Sequence, residues 1–242
     1  MTTDPGNLLE VHRTALAMAW RLLGRLSLVD TIFNHISVAA EVPSGHFHLL
    51  INPEGVLPSE LRPEAVRVLP LRTYLPSESA QLKINPDGLH LHSLIHASRQ
   101  RPGAIIHLHR PYCLAVGCSE QGLLPLTQTA MEFSGDVQTF GYAGVFRSQT
   151  LTEEMENLAN RGGAALLRNH GVLAVADTIE EAFYMTYYLE EACKLQVLAF
   201  SQGVPLVGPA EAVVEETHLA LRADRGRVAL ELFRALARTL GA

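Results

Sequence analysis

Three histidines carry the clearest chemical signal in this 242-residue chain. His107 and His109 stand two residues apart at the end of the apolar, β-branched run Ala104–His109, and His170 follows in an Asn-His-Gly sequence. Side chains at i and i+2 of a strand lie on the same face, so both imidazoles could bind one metal ion. A catalytic zinc site keeps three protein ligands and leaves a position for water or substrate. The spacing predicts such a site, with hydrogen-bonded core histidines as the alternative.

Strands flanked by helices must position these histidines. The predicted strands are Phe33–Ala40, His46–Asn52, Val68–Tyr74, Ala104–His109 and Ala164–Leu167. The predicted helices are Leu8–Leu26, Pro58–Val66, Gly88–Arg99, Pro111–Cys118, a long helix from the Thr178 and Glu181 capping box to about Phe200, and a last one from about Ala210. Between them, Leu123–Phe146 lacks clean periodicity, so we expect short strands and loops there. This order predicts an α/β fold, a mixed sheet with helices on both faces.

Composition excludes several classes of function. Net charge is −6 and the pI is about 6.0, so the protein as a whole has no positive charge that would attract nucleic acid or anionic lipid. We find no signal peptide and no apolar run long enough to span a membrane, and we expect a soluble, cytoplasmic protein. The three cysteines, Cys113, Cys118 and Cys193, match no redox or zinc spacing and are predicted to be reduced core residues. We expect one domain over 1–242, with a core at about 8–200 and a helical tail at 203–242.

Several segments together resemble one family. They are Phe33–Ser37, Ile51–Gly55, His92–His96, Arg101–His109 and Leu167–Gly171. In order and spacing these segments resemble the class II aldolase/adducin family, and the similarity runs from about His12 to Phe200. The resemblance implies that His107, His109 and His170 hold a divalent metal, usually zinc. It also implies a three-layer αβα fold around a largely antiparallel sheet, and a homotetramer with active sites at subunit interfaces.

The chain departs from the sugar-phosphate aldolases of that family at two places. Gly88 stands where those aldolases carry a proton-shuttling glutamate, and a glycine cannot move a proton. Glu54 stands in the loop that binds phosphate, where a carboxylate would repel a dianion. Gly88 and the Asn34–Ser37 segment resemble the adducin-like branch of the family, and Glu54 disfavours a sugar phosphate as substrate.

The same resemblance indicates which residues surround the substrate. The implied substrate contacts are Asn34, Ser37, Asn52, Glu54, Gly55, Gly88 and His92. His35, Glu132 and Tyr142 are the candidate proton donors, with turn capping or interface packing as their structural alternatives. His92 and His96 share a helix face, which favours a supporting or packing role. The carboxylates Glu180, Glu181, Glu190 and Glu191 are predicted on a solvated helix face and receive no chemistry.

These residues favour a metal-dependent lyase that cleaves a carbon–carbon bond in a small oxo or hydroxy acid. Decarboxylation fits best, with aldol cleavage as a close variant, because it needs an electron sink but no base to remove a carbon-bound proton. A non-haem Fe(II) oxygenase is the second hypothesis, since three histidines with open positions also suit iron. A non-catalytic, adducin-like interaction module is the third. Zn²⁺ is the expected metal, with Fe²⁺ or Mn²⁺ as alternatives.

Overall fold

A seven-stranded sheet lies between two layers of helices in the computed structural model, which describes residues 5–29, 31–99, 101, 103–142 and 152–240. The strands are β1 (His35–Glu41), β2 (Phe47–Ile51), β3 (Arg67–Pro70), β4 (Gly103–Leu108), β5 (Val137–Phe140), β6 (Gly163–Leu167) and β7 (Gly171–Ala176). The helices are α1 (Pro5–Arg25), α2 (Ser79–Leu82), α3 (Pro86–Arg99), α4 (Pro111–Gly117), α5 (Gln128–Met131), α6 (Glu153–Arg161), α7 (Ile179–Ser201) and α8 (Glu211–Ala237).

The sheet is mixed and largely antiparallel. Its strand order is β3-β2-β1-β4-β7-β6-β5, and only the pair β5 and β6 is parallel among the pairs in this order. β4 therefore lies at the centre, between β1 and β7. The predicted α/β fold is confirmed, and the three strands that surround the histidines are direct neighbours.

Alternation along β4 assigns each face of the sheet to a helix layer. Ile106 and Leu108 pack with residues of α1, α4, α7 and α8, whereas Ile105 packs with residues of α3 and α6. His107 has the same parity as Ile105 and so points to the α3 side. α4, which follows β4, packs on the opposite face.

Three expectations about elements need correction. β7 was not predicted, although it is a buried apolar strand that starts directly after His170. The helix expected over Pro58–Val66 is a single 3₁₀ turn at Pro63–Ala65, because Pro63 restricts the turn before it. β3 ends at Pro70, four residues before the predicted end at Tyr74, because proline cannot donate to a strand ladder.

The weakly periodic segment contains α5 and β5, and its positions 143–146 lie outside the described residues.

Two side chains differ from their predicted burial. Glu190, expected on the solvated face of α7, is 2% exposed. Cys118, expected in the core, is exposed, while Cys113 and Cys193 are buried, and all three are free thiols. None of the helices within the described ranges combines the length and apolarity needed to cross a bilayer.

Candidate metal centre

His107, His109 and His170 converge where β4 ends and β7 begins. One ring nitrogen of each lies within 4.8 Å of the others, and Nε2 of His107 is 3.3 Å from Nε2 of His109. Tetrahedral zinc with bonds of about 2.0–2.1 Å would separate two ligand nitrogens by about 3.4 Å, so this pair has the spacing of two ligands. Among the residues that the structure describes, no other group of three histidines, cysteines or carboxylates is close enough to hold a metal.

The hydrogen bond of His107 leaves one nitrogen for a metal. Nδ1 lies 3.1 Å from the backbone carbonyl of Val172, which can only accept, so Nδ1 carries the proton and Nε2 presents its lone pair. Burial lowers the pKa of His107 well below its ordinary value, and the neighbouring histidines lower it further. Burial also lowers the pKa of His170. Both rings are therefore neutral, which is the form that binds a metal.

Gly171 lets the two ligand segments approach each other. A Cβ atom at this position would lie 2.5 Å from the carbonyl oxygen of Leu108 and 3.2–3.3 Å from the rings of His109 and His107. Asn169, two residues before Gly171, has a positive φ of 58° in the tight turn that presents His170. The Asn-His-Gly sequence thus combines a turn residue, a ligand and a residue small enough to fit against the other ligands.

Two asparagines predicted to contact substrate, Asn34 and Asn52, form hydrogen bonds with the backbone beside the three histidines. The N–H of His109 donates to Oδ1 of Asn34 at 2.9 Å. Asn52 in turn accepts from the N–H of Ile36 at 2.9 Å and donates to the carbonyl of Asn34 at 3.3 Å. Both side chains are buried.

Ser37 and His92 lie deeper still. Oγ of Ser37 is 2.6 Å from Nδ1 of His92 and 2.8 Å from Nε2 of His96, and all three residues are fully buried. A hydroxyl has one proton, so Ser37 donates to one imidazole and accepts from the other. These hydrogen bonds join α3 to β1 and leave the Ser37 hydroxyl inside the protein.

The ring of His35 fills the space beside Gly88. It stacks on the ring of His107 with centroids 5.3 Å apart, and a Cβ at Gly88 would lie only 2.6 Å from the His35 ring. Burial, aided by His109, lowers the pKa of His35 to about 3, although the Asn85 side chain opposes the shift. A neutral imidazole therefore occupies the volume into which a side chain at position 88 would extend.

The remaining candidates separate into two groups. Glu54 and Gly55 follow β2 on an exposed loop, and Tyr142 is 62% exposed. Glu132 is buried away from solvent, and its carboxylate accepts from Oη of Tyr184 at 2.9 Å and from Nε of Arg225 at 3.0 Å. Glu132 thus connects α7 and α8, and these contacts favour the packing role over proton donation.

Sequence reasoning missed the part played by Gly171 and by the Val172 carbonyl. The glycine of the Asn-His-Gly run was a usable signal, because a glycine next to a ligand indicates close approach of two backbones. The carbonyl had no signal, since its role depends on the pairing of β7 with β4.

Comparisons with known proteins agree with this geometry. Residues 14–197 match the model of the Class II Aldolase and Adducin N-terminal domain. Mouse alpha-adducin is 34% identical over 192 residues, which cover 76% of this chain but 25% of that protein. The crystal structure of an aldolase II superfamily protein from Pseudomonas syringae superposes with a TM-score of 0.78 at 31% identity, covering 98% of this chain and 96% of that one.

L-fuculose 1-phosphate aldolase from Glaciozyma antarctica shares the fold, with a TM-score of 0.80 at 23% identity over 100% of this chain and 94% of that one.

Proposed function

We propose that this chain, which belongs to the class II aldolase/adducin family, is a metal-dependent lyase that breaks a carbon–carbon bond in a small oxo or hydroxy acid. The observation that carries the proposal is the convergence of three histidines, His107, His109 and His170, whose ligand nitrogens lie within 4.8 Å of one another. A site that binds no metal would not need three ligand nitrogens this close together.

The donor set suits a divalent metal, and Zn²⁺ is the ion we propose. Three neutral imidazoles leave its full +2 charge, and such an ion would act as a Lewis acid that accepts electron density as a bond to carbon breaks. Asn34 fixes the backbone of His109, and the Val172 carbonyl fixes the tautomer of His107. These contacts orient the ligands before any ion arrives.

Position 88 favours decarboxylation over aldol chemistry. An enediolate forms when a base removes a carbon-bound proton, and such a base must lie within hydrogen-bond reach of the substrate. Gly88 supplies none, and the neutral ring of His35 takes the space beside it. Loss of CO₂ needs no such base. A small 2-oxo or hydroxy-aromatic acid is therefore the substrate class that we propose, with aldol cleavage as the variant.

The exposed candidates stay in the proposal, Glu54 and Gly55 as substrate contacts and Tyr142 as a proton donor. Glu54 and Gly55 lie on the exposed loop after β2, and the side chain of Tyr142 is exposed, so each can reach a ligand or a neighbouring subunit. The carboxylate of Glu54 makes no ion pair among the described residues and would repel a phosphate. A substrate without a phosphate group fits this loop.

Metal analysis tests the ligand set. Protein purified without added metal is expected to hold about one divalent ion per subunit, and His170→Ala is expected to lose most of it, because one of three ligands is removed. His46→Ala, which changes an exposed histidine, serves as the matched control and should keep the ion. Unchanged metal content in His170→Ala would contradict the three-histidine centre.

Product analysis tests the reaction. Wild-type protein is incubated with 2-oxo and hydroxy acids, with and without oxygen, while CO₂ release and oxygen uptake are recorded. The lyase proposal expects CO₂ or an aldehyde without oxygen uptake. Iron in the protein together with oxygen consumption would support the Fe(II) oxygenase instead. Tightly bound metal without turnover of any acid would favour the non-catalytic alternative that the similarity to alpha-adducin suggests.

A further inference from the structure

Helix α4 connects the two segments that carry the metal ligands. It begins at Pro111, two residues after His109. At its other end the carbonyls of Gly117, its last residue, and Ser119 accept hydrogen bonds from Nη1 of Arg168, at 3.4 Å and 2.8 Å. Arg168 lies two residues before His170. This short helix therefore sets the distance between the backbone of one ligand and that of another.

A buried carboxylate from α7 holds the first turn of α4. The residue at the N-cap, Arg110, offers no side-chain acceptor to the helix. Glu190 takes that role from another element: Oε1 accepts from the N–H of Tyr112 at 3.3 Å and Oε2 from the N–H of Cys113 at 3.0 Å. These N–H groups have no partner within the helix, so Glu190 satisfies donors that would otherwise be buried and unpaired.

Arg110, the residue directly after His109, forms an ion pair with the same carboxylate. Its Nη2 lies 3.4 Å from Oε1 of Glu190, and its Nη1 donates to the carbonyl of Ser27 at 2.9 Å. Removing a carboxylate from water is costly unless the charge is paired and hydrogen-bonded, and here a guanidinium and two N–H groups meet it. The contacts therefore fix the chain directly after His109, while Asn34 fixes the N–H of His109 itself.

We infer that Glu190 is a positioning residue for the metal centre, acting through α4 on both His109 and His170. Its described contacts are with Arg110 and the first turn of α4, so its effect is on ligand geometry. The inference rests on the proposed function, because it requires that the three histidines bind a metal.

Zinc affinity of Glu190→Gln tests the inference. Glutamine has nearly the same size, but its amide nitrogen cannot accept from an N–H group and it carries no charge for Arg110. We expect Zn²⁺ binding, measured by competition with a chromophoric chelator, to weaken about 10–100-fold, and the visible absorption spectrum of bound Co²⁺ to change. Glu191→Gln is the matched control: this neighbour is partly exposed, pairs with Lys194 and should leave both measurements unchanged.

The possible results distinguish failure of the inference from failure of the proposed function. Wild-type Zn²⁺ affinity in a folded Glu190→Gln protein would overturn the inference alone. A wild-type protein that binds no Zn²⁺, Co²⁺ or Fe²⁺ would overturn both. If circular dichroism shows that Glu190→Gln is unfolded, Arg168→Gln tests the other end of α4, where about tenfold weaker Zn²⁺ binding is expected and unchanged binding overturns the inference.

Discussion

Gly171 determines how closely the two ligand segments can approach. In Gly171→Ala the new Cβ would meet the carbonyl oxygen of Leu108 at 2.5 Å, a backbone atom that cannot rotate away. We expect the strands to move apart, with a loss of about 1–3 kcal/mol in unfolding free energy and weaker Zn²⁺ binding. Urea unfolding and chelator competition measure the two effects.

Gly208→Ala is the control for this substitution, because a Cβ there has no atom within 4 Å. It should change the unfolding free energy by less than about 0.5 kcal/mol. Equal stability and equal Zn²⁺ affinity in the two variants would show that Gly171 is not needed for the close approach.

His96 makes stability depend on pH. Burial, with a further contribution from Arg99, lowers its pKa to about 3, whereas an unfolded histidine titrates near 6.5. The unfolded chain therefore takes up the proton first as pH falls. The stability contributed by the neutral ring is complete above about pH 6.5 and is lost progressively towards pH 3, at up to about 1.4 kcal/mol per pH unit.

His96→Gln keeps a polar atom near Ser37 but does not titrate. We expect its unfolding free energy, measured in urea at several values between pH 7 and pH 5, to fall less steeply with decreasing pH than that of the wild type. His46→Gln, at an exposed position, should keep the wild-type slope. Parallel slopes for wild type and His96→Gln would contradict the assignment of this pH dependence to His96.

The sequence predicts which histidines lie close together better than it predicts the contacts around them. His107 and His109 are recognisable because the strand period alone places them on one face. The expected substrate contacts Ser37 and Asn52 find partners far along the chain, on α3 and at the start of β1. A resemblance marks such positions, but whether a side chain faces ligand or core depends on those distant partners.

Helix α8 is attached to the fold by a buried ion pair. Arg225 donates to Glu132 at 3.0 Å and lies 3.3 Å from Asp136, and all three side chains are at most 10% exposed. Glu132→Ala leaves the guanidinium with Asp136 as its one carboxylate partner among the described contacts, and we expect a loss of about 3 kcal/mol in unfolding free energy, measured in urea. Metal content should not change, because Glu132 lies in the helix packing and not at the histidines.

Glu231→Ala provides a comparison on the same helix. Glu231 forms an exposed pair with Arg227, and its removal should cost less than about 1 kcal/mol. A Glu132→Ala protein that is as stable as Glu231→Ala but fails to turn over substrate would restore Glu132 as a proton donor.

Strand β7, which sequence reasoning missed, shows that a local pattern does not always identify the type of element. β7 is a six-residue apolar run buried on both faces, and periodicity cannot separate such a run from part of a helix. The capping box at Thr178 and Glu181 was different: the Thr178 side chain accepts from the N–H of Glu181, as predicted, because a capping box is a local signal.

For the whole molecule we predict a homotetramer. Large apolar side chains are exposed near the end of α7 and the start of α8, including Leu198, Phe200, Val207 and Val213. Contiguous exposed apolar patches mark interaction surfaces in soluble proteins, and these side chains are our candidates for the contact between subunits. Light scattering coupled to size exclusion should give roughly four times the subunit mass of 26.4 kDa, and a monomer at micromolar concentration would contradict the prediction.

The contact between His35 and position 88 fixes the order in which this site could change. A Cβ at position 88 already meets the imidazole at 2.6 Å, so a glutamate cannot enter while the ring is present. Replacing His35 first leaves a small gap beside His107, and only then is there room for a carboxylate. Evolution or engineering that introduces an acidic residue at position 88 must therefore replace His35 first. In the reverse direction, the carboxylate must be removed before a histidine can occupy position 35.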